Sequence, residues 1–284
     1  MENLGYYNGE IKKLEELKIP ALDRSVYFGD GVYEVVYCVN QNPFGLKDHI
    51  NRFYDSCRLL KINFTMKKEK LEEIIKDMAK RQGGKYQSIY WQTSRASSIR
   101  EHIFPQNKTP NLLIMVTENK IKDMNKLRYD LITEEDTRFF HCNIKTLNLI
   151  PSVLASEKAK ENNCNEAVLH RGEMVTECAH SNVSIIKDGV FKTAPLSNLI
   201  LPGVTRAHII KFCKELKIPV LEKHFTIKEL FEADEIIVSA SGCLCMGVNT
   251  IDGKKVGGKA ANILKTLQNA YEQEFINQCG SSFA

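Results

Sequence analysis

The sequence predicts a mixed fold of helices and strands, α+β in character and divided into two domains. Its 284 residues are enough for two domains of ordinary size, each with a core of its own. Neither the 3.6-residue period of helices nor the alternation of strands dominates throughout. The share of hydrophobic residues, 43%, and of charged residues, 26%, is ordinary for a globular chain.

Gly31–Val39 has the β-branched and aromatic content of a strand, which Asn40-Gln41-Asn42-Pro43 ends. Lys47 to Ile62 sets Ile50, Phe53, Cys57, Leu60 and Lys61 at helical spacing, with Asp48 near its start. Lys67 to Lys80 reads as a second amphipathic helix that stops before Gly83-Gly84. Strands follow at Gln87–Ser94 and Asn111–Thr117. The polar run over residues 119–125 has no apolar face and reads as a linker between a small domain, 1–118, and a larger one, 126–284. Past it, Ser152–Asn162 reads as a helix, Glu166–His170 and Asn182–Lys187 as strands, and Thr205–Leu216 as a helix after Pro202-Gly203. Asp234–Ser239 returns as a strand, and Lys259–Phe275 closes the chain as a helix with Ala260, Ile263, Leu264, Leu267 and Tyr271 on one side.

Charge and composition exclude several functions. A net charge of +4 is small for this length, and lysines alternate with glutamates over Lys67–Lys80 instead of forming a basic stripe, so a nucleic-acid partner is not expected. The longest nearly apolar run, Ile236–Val248, is too short to cross a bilayer and carries Ser239 and Ser241. Met1-Glu2-Asn3-Leu4-Gly5 lacks the profile of a secretory signal, which makes the cytoplasm the expected compartment. Nine cysteines are scattered without a CxxC pair, so buried reduced thiols are expected and neither a metal site nor a disulfide framework.

Two groups stand out against this background. Lys145 is flanked by Ile144, Leu147, Leu149 and Ile150, residues that draw an amine toward the core, where desolvation favours its neutral, nucleophilic form. Glu177 follows in Val175-Thr176-Glu177. An amine that can bond an aldehyde and a carboxylate that can keep a pyridine nitrogen protonated are the pair needed to hold pyridoxal phosphate from both ends. Ile144-Lys145-Thr146-Leu147-Asn148-Leu149, Glu166–Arg171, Val175-Thr176-Glu177, Ser181-Asn182-Val183 and Asn198–Arg206 resemble, in order and spacing, the fold-type IV pyridoxal-phosphate enzymes. The resemblance runs from Asp23–Glu34 to Ile251-Asp252-Gly253.

It implies a two-domain fold with the active site between domains. It also implies that Lys145 carries the cofactor covalently and that Glu177 pairs with the pyridine nitrogen. Gly203-Val204-Thr205 opens a predicted helix, so backbone N–H groups of Val204 and Thr205 and the Thr205 hydroxyl can converge on a phosphate. Arg52 matches the family's phosphate arginine, and Ser241 falls where a family hydroxyl also reaches the phosphate.

Arg100 and His102 precede Phe104-Pro105 and can point the same way if the segment is extended. An arginine and a histidine so placed resemble the D-amino-acid aminotransferases, where the pair reaches in from the neighbouring subunit and, with the tyrosine matching Tyr33, binds the substrate α-carboxylate. The resemblance implies a homodimer with a shared site and transamination of D-amino acids of D-alanine or D-glutamate type. The acceptor is an α-keto acid, and the kinetics are ping-pong through pyridoxamine phosphate. An L-branched-chain aminotransferase, an aminodeoxychorismate lyase and a non-catalytic pyridoxal-phosphate-binding protein stay open as alternatives. The chain departs from the family at Cys178-Ala179-His180, where glycine and small hydroxyl residues are usual, and at Cys243 and Cys245. His180 either lies against the cofactor ring or points to solvent. The cysteines pack as small hydrophobes or narrow the pocket.

Overall fold

A computed structural model of the protein describes residues 2–283. The chain groups into two compact units, one made of the chain up to Ile121 with Ile144–Asn148 and Phe275–Phe283, the other of Lys122–Asn143 and Leu149–Glu274. The change of unit falls inside the polar run 119–125. Lys145, expected within the 126–284 stretch, groups instead with the first unit, because its segment pairs with a strand there.

The first unit contains β1 (Leu4–Tyr7), β2 (Glu10–Lys13), α1 (Arg24–Phe28), β3 (Gly31–Val39), β4 (Asn42–Pro43), α2 (Leu46–Leu59), α3 (Lys68–Gln82), β5 (Tyr86–Ser94) and β6 (Asn111–Glu118). Its six strands form one antiparallel sheet in the order β2-β1-β6-β5-β3-β4. Alternation along β3 buries Val32, Val36 and Cys38 in a cluster with Ile50 and Phe53 of α2, Ile75 and Met78 of α3, and Trp91 of β5. Burying these side chains stabilises the unit by roughly 1.5–3 kcal/mol each. The helix expected to reach Ile62 ends at Leu59, with Leu60 as its cap and Lys61 at φ 54°. The cause lies in a distant residue: Arg95 donates to the carbonyls of Leu60 and Lys61 at 2.9 and 3.0 Å and satisfies carbonyls that continued helix would have used.

The second unit contains β7 (Arg128–Glu135), α4 (Ile150–Glu161), β8 (Glu166–Arg171), β9 (Met174–Cys178), β10 (Asn182–Lys187), β11 (Val190–Thr193), α5 (Val204–Glu215), β12 (Val220–Glu222), α6 (Ile227–Phe231), β13 (Glu235–Ala240), β14 (Leu244–Ile251), β15 (Lys254–Lys255) and most of α7 (Ala261–Cys279). The sheet runs β12-β11-β10-β13-β14-β7-β8-β9, with β15 beside β14. It is mixed, since β7 lies parallel to both β14 and β8. This observed architecture of helices and two sheets agrees with the fold class expected from the sequence. No helix among the described residues is long and apolar enough to cross a membrane.

Candidate active site

Lys145 is placed by its backbone. The Lys145 carbonyl accepts from the Tyr33 N–H at 2.9 Å, and the Leu147 N–H donates to the Gly31 carbonyl at 3.1 Å, so the short segment lies along the start of β3. Such close approach needs glycine at position 31, where a Cβ would stand 2.4 Å from the Thr93 carbonyl oxygen and 2.8 Å from Leu147 Cδ1. The Lys145 N–H donates to Ser56 Oγ at 3.3 Å. The side chain is half-buried, with Nζ 4.3 Å from the centre of the Tyr33 ring. That ring stacks on Tyr90 at 5.5 Å. Lys145 makes no ion pair with a carboxylate among the described residues, so the amine is held by an aromatic face and left free to react.

In the same unit Arg52 forks onto Glu34, Nε to Oε1 at 2.6 Å and Nη2 to Oε2 at 2.8 Å. His49 Nδ1 lies 2.7 Å from Glu34 Oε2. Glu34 occupies an inward position of β3 and is 0% exposed. Burial alone would raise its carboxyl, but the charges of Arg52 and His49 outweigh that and hold it at about 2. Burial also lowers His49, against the pull of Glu34. Glu34 and His49 went unrecognised from sequence. The signal for Glu34 was there, a carboxylate on the apolar side of an alternating strand, where no charge is buried without a partner.

The second unit holds Glu177, 4% exposed. Its Oε1 accepts from Arg138 Nη1 at 2.5 Å, and its Oε2 from Asn182 Nδ2 at 2.8 Å and the Leu201 N–H at 3.0 Å. Burial raises the carboxyl to about 7, opposed by Arg138 and by the Leu201 N–H. Arg138 is itself gripped by Asp136, Nη2 to Oδ2 at 2.9 Å and Nε to Oδ1 at 3.0 Å. Thr176 Oγ1 donates to Asp136 Oδ2 at 2.9 Å. Arg138 and Asp136 are further residues of the site that sequence reasoning missed. Their spacing at the end of β7 carries no pattern that distinguishes them from a surface pair.

Asn182 joins Glu177 to the start of α5. Its Nδ2 also donates to the Leu201 carbonyl at 3.0 Å, and a Cβ on Gly203 would stand 2.0 Å from its Oδ1. Gly203 is the N-cap of α5, and no side chain caps that end. The first N–H groups of the helix therefore remain for another acceptor. Val204 and Thr205 form this opening turn and are buried. Ser241 lies in the turn between β13 and β14.

The departures near Glu177 are accommodated. Cys178 is buried and does not adopt left-handed backbone. Its thiol is pushed up by burial, and burial likewise pushes Cys243 up to about 12. Cys178, Cys243 and Cys245 thus pack as small hydrophobes. His180, 61% exposed, places Nδ1 2.8 Å from Oε2 of the buried Glu166, an oxygen that also accepts from Ser181 Oγ at 2.8 Å.

Arg100 and His102 lie in a loop of bends, not in an extended segment. Both nonetheless reach Phe28: Arg100 Cζ stands 4.9 Å from the ring centre, and the His102 ring 5.0 Å from it. The structure thus brings Tyr33 to Lys145 and Arg100 to His102, while Arg52 is engaged with Glu34.

The sequence profile described as Amino-transferase class IV matches residues 31–251. A D-alanine aminotransferase of Listeria monocytogenes serotype 4b (strain F2365) is 37% identical over 279 residues, 96% of each chain. One from Staphylococcus epidermidis (strain ATCC 35984) is 36% identical over 271 residues, 94% of this chain and 96% of the relative. Among solved structures, a T.th. branched-chain amino acid aminotransferase with pyridoxamine 5′-phosphate superposes with a TM-score of 0.89 at 25% identity, covering 99% of this chain and 95% of the other. The Escherichia coli branched-chain amino acid aminotransferase superposes at 0.86 and 23% identity, covering 99% and 96%, a likeness of fold.

The Glu177 carboxyl gives a pH signature in the cofactor-free protein. A carboxyl raised from 4.5 to about 7 favours folding below its unfolded value, and that contribution is lost as pH rises through its folded value. Urea titrations of the wild type and Glu177→Gln should therefore diverge from about pH 5 to about pH 8, the variant gaining on the order of 2 kcal/mol over the wild type. A difference that stays constant with pH would contradict the assignment.

Proposed function

The chain belongs to the amino-transferase class IV family, and from that premise we propose that it transfers the amino group of D-amino acids, of D-alanine or D-glutamate type, to an α-keto acid, with pyridoxal 5′-phosphate as cofactor. The observation that carries this reading is the likeness, along nearly the whole chain, to proteins described as D-alanine aminotransferases.

The residues fit the cofactor. The α5 opening has no side-chain cap, and Gly203 lets its backbone lie against Asn182. Val204 and Thr205, with Arg52 and Ser241, would hold the phosphate. Glu177, poised at about 7, is an acceptor for a protonated pyridine nitrogen, and a cation there would favour its ionised form. Arg138 and Asn182 orient that carboxylate. Lys145 has a primary amine without a carboxylate partner among the described residues, suited to bond an aldehyde. Bound there, pyridoxal phosphate would supply an aldehyde carbon and an electron-accepting ring.

The chain's own residues do the rest. Lys145 Nζ would take the proton from substrate Cα as general base and hold it as an ammonium that can then act as general acid. Arg100 and His102, with Tyr33, bind the substrate α-carboxylate. Fixing that carboxylate on one side decides which enantiomer turns its Cα–H toward Lys145, and the D-enantiomer is the reactive one.

The working unit is a homodimer in which Arg100 and His102 serve the partner's site. The exposed Ile99, Ile103 and Phe104 around the pair support this, since a cluster of exposed apolar side chains is typical of a covered surface. The cytoplasm is the compartment, in keeping with nine free cysteines, all but Cys164 buried.

A panel of D- and L-amino acids with 2-oxoglutarate tests the activity. D-alanine or D-glutamate should be turned over with ping-pong kinetics, and turnover of L-leucine without either D-substrate would refute the reading. The shared site is tested by mixing subunits. Lys145→Ala and Arg100→Ala homodimers should each be nearly inactive, while an equimolar re-assembled mixture regains about a quarter of wild-type activity. No recovery on mixing would mean that each chain completes its own site.

A further inference from the structure

The loop bearing Arg100 and His102 is held in a specific way. α1 is a five-residue helix capped by Asp23, whose carboxylate accepts from the Ser25 N–H at 2.8 Å, and ended by Gly29 in left-handed backbone. Asp23 is tied to the sheet by Tyr7 Oη and Asn111 Nδ2, each at 2.9 Å. Donors of this platform grip the carbonyls of the loop: the Arg24 N–H takes Ala96 at 3.1 Å, Tyr27 Oη takes Ser98 at 2.7 Å, and Arg24 Nη1 takes Glu101 at 2.8 Å. Arg100 and His102 flank the gripped Glu101, and both side chains come to the ring of Phe28, the last residue of α1.

The two arginines beside that ring differ in their neutralisation. Arg24, 3% exposed, also stands 4.9 Å from the ring centre, but its charge is met by Asp30 through Nε at 2.8 Å. Arg100 is exposed, and no carboxylate pairs with it among the described residues. An acidic neighbour would orient a guanidinium but cancel its charge. An aromatic face orients it through the ring quadrupole and leaves the charge for an incoming anion.

We propose that Phe28 is a positioning residue for substrate recognition, holding Arg100 and His102 in place while leaving the Arg100 charge for an incoming anion. The proposal rests on the reading that this pair binds the substrate α-carboxylate. Phe28 acts through Arg100 and His102, whose side chains lie against its ring, so its loss weakens carboxylate binding and spares the chemical step.

The test compares Phe28→Leu, Phe28→Met and Phe28→Tyr holoenzymes with the parent. Removing the ring should raise KM for D-alanine about tenfold while kcat changes less than twofold. The Kd of propanoate, a carboxylate without an amine, should rise in parallel by calorimetry. Phe28→Tyr keeps the ring and should restore both values. Phe28→Met carries the test if Phe28→Leu does not fold. Unchanged KM and propanoate Kd in a folded non-aromatic variant overturn the proposal, as does an equal fall of kcat in all three variants. Arg100→Ala separates the two layers. If it raises KM and propanoate Kd while Phe28→Leu does not, positioning by Phe28 is wrong and carboxylate binding stands. If Arg100→Ala changes neither, the carboxylate reading is wrong and the proposal falls with it.

Discussion

The pairing of the Lys145 segment with the first residues of β3 is the constraint on which the rest depends. Two backbone hydrogen bonds, from Tyr33 to the Lys145 carbonyl and from Leu147 to the Gly31 carbonyl, fix the main chain of the lysine against the sheet. From that anchored backbone the side chain lies over Tyr33. A reactive amine on a loop would lose conformational entropy at each turnover. Anchored to a strand, most of that cost is met in folding.

The same economy governs the charges. Glu34, Asp136 and Glu177 are all buried, and each is held by an arginine, respectively Arg52, Arg138 and Arg138. The outcomes differ because the surroundings differ. Arg52 and His49 together hold Glu34 at about 2, so it is a permanent anion that orients its arginine. Glu177 shares Arg138 with Asp136, and burial leaves it at about 7, where an added cation can decide its state. A carboxylate with that response suits a ring nitrogen that must stay protonated, whereas one fixed at about 2 suits a structural anchor.

Much of this was legible in the sequence because it rests on local pattern. The alternation of Gly31–Val39, the helical spacing around Ile50 and Phe53, and the Pro202-Gly203 break before α5 each point to the element observed. The hairpin of β1 and β2 was not read, because its exposed second strand, Glu10–Lys13, carries no apolar alternation. The end of α2 was overrun because Arg95, far along the chain, takes the carbonyls of Leu60 and Lys61. Within the site, Lys145 and Glu177 stood out by their apolar flanks. Arg138, Asp136 and His49 did not, since their roles come from partners that only folding brings near. His180 was open to two readings, and the structure gives it Glu166 as partner. For Arg100 and His102 the spacing allows a common direction on an extended segment; from a loop of bends they meet instead on Phe28, a residue no spacing rule connects to them.

The proposed chemistry requires that Lys145 be the residue bonded to the cofactor. Borohydride reduction of the cofactor-loaded protein, followed by proteolysis and mass spectrometry of the peptide spanning Lys145, tests it most directly. A phosphopyridoxyl group is expected on Lys145 and on no other lysine in comparable yield. An unmodified Lys145 in protein that carries the label elsewhere, or carries none, would contradict it.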